Sequence, residues 1–249
     1  MASVQAVTRP AVPEATLGEE DAARRAPRVA ERAAALFGER RAHAHRRLDR
    51  MFMRLILGQW AFAILIAVWF SPYGWSGKER VVHPHVYIAV LVGGALTALP
   101  VALALLRPGW VGTRHVIAAT QMLWSALLIH LTGGRIETHF HVFGSLAFLS
   151  FYLEWRVLTT ATVVVAADHA LRQFLWPESV YGIVNPEWWR FLEHAFWVVF
   201  ENVFLVLACI AGIRDMRNAA QQQAEVEVLV ESNEIKTAAL EMVLDEVRR

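Results

Sequence analysis

The sequence predicts an all-α fold: a six-helix transmembrane bundle whose last helix runs on into a cytoplasmic signalling or coiled-coil helix. Three observations predict it. The chain of 249 residues is 56% hydrophobic with a mean hydropathy of +0.36, too apolar for an ordinary soluble domain. Its apolar residues fall into six runs, most near the roughly 17–25 residues that a helix needs to cross a bilayer. After Gly212 there is neither Pro nor Gly, and the composition stays helical to Arg249. Three regions follow: 1–50, a cytoplasmic N-terminal segment; 51–213, the transmembrane domain; and 214–249, the signalling helix.

Residues 1 to about 25 are rich in Ala, Pro, Glu and Arg, which predicts disorder. Residues 28–50 form a basic amphipathic pattern suited to a solvated anchor on the membrane surface, with His43 and His45 expected on its exposed side. About fifty polar residues precede the first apolar run, which is not the pattern of a secretory signal. The first span is expected from about Met51 to Phe70, ending at Ser71-Pro72-Tyr73-Gly74. The second runs from about Val86 to Leu106 and stops at Arg107-Pro108-Gly109. The third runs from about His115 to Leu131 and stops at Thr132-Gly133-Gly134. The fourth, about Thr138 to Leu153, and the fifth, about Val157 to Leu175, are joined by Glu154-Trp155-Arg156, which makes them antiparallel neighbours. Trp176-Pro177 closes the fifth. The sixth starts near Trp188 and passes through Cys209 to Arg214. Beyond it Val228, Ile235 and Met242 recur at sevens, a weak seam that predicts a parallel homodimer; a solvated tail helix is the bland alternative.

Basic residues at span ends set the direction. With the N-terminus cytoplasmic, the inner ends hold Arg40, Arg41, Arg46, Arg47, Arg50, Arg54, Arg107, Arg114, Arg156, Arg214 and Arg217, against Lys78, Arg80, Arg135, Arg172 and Arg190 outside. An even number of spans brings the C-terminus to the cytoplasm as well. The expected location is a bacterial inner membrane, with the lipid bilayer as a partner.

Composition and motifs exclude several classes. A net charge of +1 gives no reason to expect nucleic acid binding. The single cysteine, Cys209, permits no disulfide within one copy and no CxxC metal or redox motif. It reads as a small packing residue. No phosphate-binding Gly loop, nucleophile elbow, kinase motif or HExxH is visible, so no catalytic residues are assigned.

The chemistry lies in the histidines. Under this topology His83, His85, His130, His139, His141, His169 and His194, seven of the ten, gather at the outer ends of the spans. Neutral imidazole is a common ligand for zinc, copper and iron. His130, His139, His141, His169 and His194, with Asp168 and Glu193, are therefore the candidate site for a transition metal (Zn, Cu or Fe), or for haem held by two axial histidines. His83, His85, Glu137 and Glu201 are weaker candidates. An ion-free polar network of interfacial histidines is the competing reading. His139 and His141 are two apart, roughly 200° around a helix, so both face one site only if the helix starts late or is distorted. Asp168 and Glu193 can instead orient rings. Glu201, seven residues from His194, falls near mid-membrane, where a carboxylate is costly unless paired or protonated. His115 is expected at the inner end, away from the cluster.

The strings Gly133-Gly134-Arg135-Ile136-Glu137-Thr138-His139-Phe140-His141-Val142-Phe143-Gly144, Asp168-His169-Ala170-Leu171-Arg172, Trp176-Pro177-Glu178-Ser179-Val180-Tyr181-Gly182 and Trp189-Arg190-Phe191-Leu192-Glu193-His194-Ala195 resemble the N-terminal multi-pass membrane sensor module of bacterial PAS-containing sensor histidine kinases. Asn233-Glu234-Ile235-Lys236-Thr237 is similar to the connector that enters a PAS domain. The resemblance implies signal input and an output domain, PAS or kinase, in cis beyond a truncated end or in trans on a partner. It supplies no ligand. The residues alone leave two further readings open: a membrane metal-dependent oxidoreductase using the same histidines, and a metal or proton transporter using Asp168 and Glu201.

Overall fold

The structure is a computed structural model that describes residues 15–249. The disorder expected over 1–14 lies outside the described residues. From Ala15 the chain is helical, so the stretch from 15 to 25 departs from that expectation. Helix α1 spans Ala15–Phe70, α2 Pro84–Leu106, α3 Val111–Leu131, α4 Ile136–Leu149, α5 Trp155–Leu175, α6 Glu178–Tyr181 and α7 Arg190–Arg248. The described residues also include a small hairpin, β1 Tyr73–Ser76 paired antiparallel with β2 Glu79–Val82, in the segment read as a loop. Gly77 turns it with a φ of 63°.

The boundaries follow local chemistry. Pro84 opens α2 at its first turn, where a missing N–H costs nothing, and the His83 ring accepts the His85 backbone N–H at 3.1 Å as a cap. Thr132-Gly133-Gly134 ends α3 with φ of 72° and 75° at the two glycines, and the Gly134 N–H returns to Ile129 O at 2.9 Å. Helix α4 is only 14 residues long; a 3₁₀ turn over Ser150–Tyr152 and a left-handed Leu153 hand the chain to α5.

Two compact units divide the chain: Met1–Glu39 with Asp215–Arg249, and Arg40–Arg214. In the first, the N-terminal part of α1 and the C-terminal part of α7 run antiparallel. Ala33, Leu36, Ala220 and Ala224 are buried between them, and ion pairs Arg28–Glu231 at 2.7 Å and Arg32–Glu227 at 2.6 Å flank the seam. This revises two expectations. The basic segment pairs with the tail helix instead of standing alone, and Val228 is buried while Ile235 and Met242 remain exposed.

In the second unit α3 is central, packed on α2, α4, α5 and α6. Its core includes Ile117, Met122, Trp124, Ile129 and Leu131, met by Phe52 and Ile56 from α1, Leu146 from α4, Leu158 from α5 and Val198 from α7. Among the described residues three helices, α1, α2 and α7, are long and apolar enough to cross a membrane. The six expected apolar segments all form helices, but α3, α4 and α5 fall short of that measure. Helix α3 buries Thr113, Arg114, Thr120, Gln121 and Ser125 against its neighbours, which dilutes its hydropathy, and α4 is short.

Candidate functional site

Seven histidines of the larger unit, His83, His85, His130, His139, His141, His169 and His194, divide into three groups, set by which way each helix face turns. Helix α4 begins at Ile136 and carries both His139 and His141 in regular geometry. The two rings therefore diverge, and only His139 joins the central group.

That group is His139 of α4, His169 of α5 and His194 of α7. Ring centroids are 5.7 Å apart for His139–His169, 5.3 Å for His139–His194 and 5.8 Å for His169–His194. All three are held in one way. Each Nδ1–H donates to the carbonyl four residues back on its own helix: His139 to Arg135 O at 3.0 Å, His169 to Val165 O at 3.1 Å and His194 to Arg190 O at 3.1 Å. A carbonyl oxygen only accepts, so the proton sits on Nδ1 in each ring and every Nε2 keeps its lone pair. His139 is 5% exposed and its Nε2 has no hydrogen-bond partner. Asp168 does not point at the triad's centre. It lies 3.3 Å from His169 Nδ1 and is gripped by Arg172, which also donates to Ser179 O at 3.2 Å. It orients a ring and ties α5 to α6.

His141 belongs to a closed polar cluster instead. Its Nε2 accepts from Gln59 at 3.0 Å and its Nδ1 meets Ser125 Oγ at 2.8 Å. Gln59 and Gln121 exchange amide hydrogen bonds at 2.8 and 3.2 Å, and Ser145 donates to Gln121 at 3.2 Å. Both ring nitrogens are spent. His130 forms the third group, edge-on to His85 at 5.1 Å and Trp176 at 4.8 Å, with His83 against His85 at 4.4 Å. His83 has committed its Nδ1 to capping α2.

The remaining candidates are less closely placed. Glu137 is exposed and pairs with Arg135 at 3.4 Å. Glu193 is exposed and shares the lining of a second, open pocket with His139 and His194. Glu201 Oε2 is buried without a hydrogen-bond partner further along α7. His115 bonds Thr160 at 2.8 Å, outside all three groups, as expected.

Several contributors were not legible in the sequence. Tyr181 stacks edge-on to His194 at 5.3 Å, and burial pushes its phenol up to about 12. It arrives there because Gly134 packs on Gly182, so that a side chain at Gly134 would meet the Gly182 backbone nitrogen at 2.3 Å. At the opposite end of the bundle His45, read as a surface residue, is buried. Its Nδ1 accepts from Arg114 at 3.1 Å and its Nε2–H donates to Tyr152 O at 3.2 Å. Beside it Asp49 takes the Tyr152 hydroxyl at 2.7 Å and the Gly109 N–H at 2.6 Å. Arg114 lies 2.8 Å from Glu154. No motif marks this network; a basic run hides its inward-facing positions.

An apolar cavity of about 340 Å³ adjoins the triad, walled by Val142, Phe143, Val165, Ala166, Val198 and Val199 among others. Among the described residues no three His, Cys, Asp or Glu side chains are already drawn into ion-holding geometry. The triad comes near it: imidazoles on one tetrahedral ion with metal–nitrogen bonds of about 2 Å would have centroids about 5 Å apart.

Fold and site together define a helical protein whose apolar helices are compatible with a membrane location. The chain is 30% identical over 149 residues to the transducer protein Htr8 of Halobacterium salinarum, a match that takes in 57% of this chain and 22% of that transducer. This distant similarity supports a sensory signalling role. It carries nothing specific to histidine kinases. No protein-family profile matches the chain, and no solved structure does.

Proposed function

We propose that this chain is the membrane-embedded sensory input module of a bacterial signal-transduction protein, of histidine-kinase type, and that it binds a transition metal ion through His139, His169 and His194. The observation that carries the reading is the shared anchoring of the three rings. Metal-binding histidines characteristically donate their second ring N–H to a carbonyl or carboxylate, which fixes the tautomer and aims the other nitrogen. Here three helices do so independently. A single ion suits the compact triangle better than haem does, because two axial ligands must stand on opposite faces of a flat macrocycle. His139, His169 and His194 would hold the ion, which would supply a Lewis-acidic centre; the protein's part is to hold three neutral imidazoles on three helices.

In this reading all six apolar helices cross the inner membrane with both termini cytoplasmic. The weak hydropathy of α3 reflects the polar residues it buries against its neighbours, and α4 is short. His194 lies on the same continuous helix as the segment 214–249, so a change at the site is passed along α7. The output domain, PAS or kinase, lies in cis or on a partner, and the exposed apolar residues of α7, Val226, Val230, Leu240 and Leu244, favour a homodimer. Such signalling needs the ligand to bind two bundle states with different affinity.

Elemental analysis of the detergent-purified chain after zinc loading tests the metal reading. It predicts about one ion per chain, retained through desalting, and loss of that ion in His194→Ala. A wild-type chain that retains none would overturn it.

A further inference from the structure

The cavity beside the triad has a chemistry of its own. Its wall is almost wholly apolar, and apart from the three imidazoles the polar lining side chain is Thr162, whose hydroxyl already donates to Leu158 O at 2.8 Å. Its volume, about 340 Å³, lies in the range that takes a ring-sized organic ligand rather than a diatomic molecule. Its wall includes the exposed residues Ala166, Ala167 and Val199, so it opens on the outer surface of the bundle. That surface is covered by apolar side chains such as Val163, Phe196 and Val203. In a membrane the mouth faces lipid, so the occupant is uncharged and dissolved in the bilayer.

The head of the cavity then selects the occupant's polar group. All three Nδ1–H groups are committed to helix carbonyls, so the imidazoles offer lone pairs and no protons. The buried, unpartnered Nε2 of His139 lacks a donor. A hydroxyl fills that need. A carbonyl would set one lone pair against another and leave both unsatisfied.

We propose that the cavity binds the ring of a membrane-dissolved hydroquinone, its hydroxyl donating to the Nε2 of one imidazole of the His139–His169–His194 triad, and that it rejects the corresponding quinone. The site thereby distinguishes the reduced from the oxidised form of one lipid-soluble carrier by hydrogen-bond polarity alone, with no electron transferred to the protein. The inference rests on the triad being the input site. A metal ion and the hydroquinone use the same lone pairs, so they exclude one another.

The test uses the full chain in phosphatidylcholine vesicles under anaerobic conditions, with a benzoquinol carrying a single isoprenyl tail as the probe, and separately its oxidised benzoquinone. Equilibrium binding is expected to favour the reduced form by at least about tenfold, the order of one well-made hydrogen bond against one unmade. Zinc added beforehand is expected to abolish binding. Ala170→Leu narrows the cavity from α5 while keeping all three imidazoles; it is expected to weaken the hydroquinone by about tenfold and to leave zinc binding unchanged, which also shows that the variant folds. Equal affinity for both redox forms, or no binding of either by a chain that still takes zinc, would overturn the inference while leaving the metal reading in place. Binding of the reduced form by a chain that takes no zinc would sink the metal reading and leave this one standing.

Discussion

His139 and His141 sit two positions apart and do opposite work. One has an unpartnered nitrogen in a ring packed beside those of α5 and α7; the other spends both nitrogens on Gln59 and Ser125. The second arrangement is a closed network, and closed networks are intolerant of partial removal. Gln121→Leu keeps the approximate volume but strips partners from the Gln59 amide and the Ser145 hydroxyl. It is expected to destabilise the bundle by about 1–3 kcal/mol, read as a lowered Tm in detergent. Adding Gln59→Leu is expected to deepen the loss, because the buried His141 Nε2 then loses its donor as well. Nothing in the sequence marked Gln59 and Gln121 as partners: they lie 62 residues apart and their pairing depends on how α1 and α3 are rotated. The same uncertainty of roughly 100° per residue is why five histidines read as one site separate into three groups.

Local chemistry made the elements themselves far easier to read. Pro84, Gly109, Thr132-Gly133-Gly134 and Pro177 each stop or start a helix close to where the sequence placed it, because these residues act within a turn of their own position. The hairpin over Tyr73–Val82 was missed: four-residue strands leave too short an alternation to register. The pairing of α1 with the tail of α7 was missed for a different reason, since its seam is built largely from alanines, which carry little hydrophobic signal. The glycines at the end of α3 permit a test at this scale. Gly133 and Gly134 both have positive φ, but a side chain would find open space at the first and the Gly182 backbone at the second. Gly133→Ala is therefore expected to cost about 1 kcal/mol, the conformational penalty alone. Gly134→Ala is expected to cost more and to displace Tyr181 from His194. Thermal unfolding of the two variants checks the order; equal costs would mean that the close approach of the loops contributes nothing.

At the scale of the molecule, the account depends on α4, α5 and α7 converging. Each helix anchors its own imidazole by a bond that any isolated helix can make, and only the assembled bundle brings the three rings within 5.3–5.8 Å of one another. That histidines of several helices lie near one another follows from the order and direction of the helices, which the sequence does carry. Which of them meet was not legible there, because that is decided by packing around α3. The most direct measurement is the visible spectrum of the purified chain loaded with cobalt(II), whose absorption reports tetrahedral coordination by nitrogen. The account predicts intense tetrahedral bands in the wild type, their loss in His139→Ala, and their persistence in His141→Ala and His130→Ala. Bands that vanish with His141 or His130 but survive without His139 would contradict it.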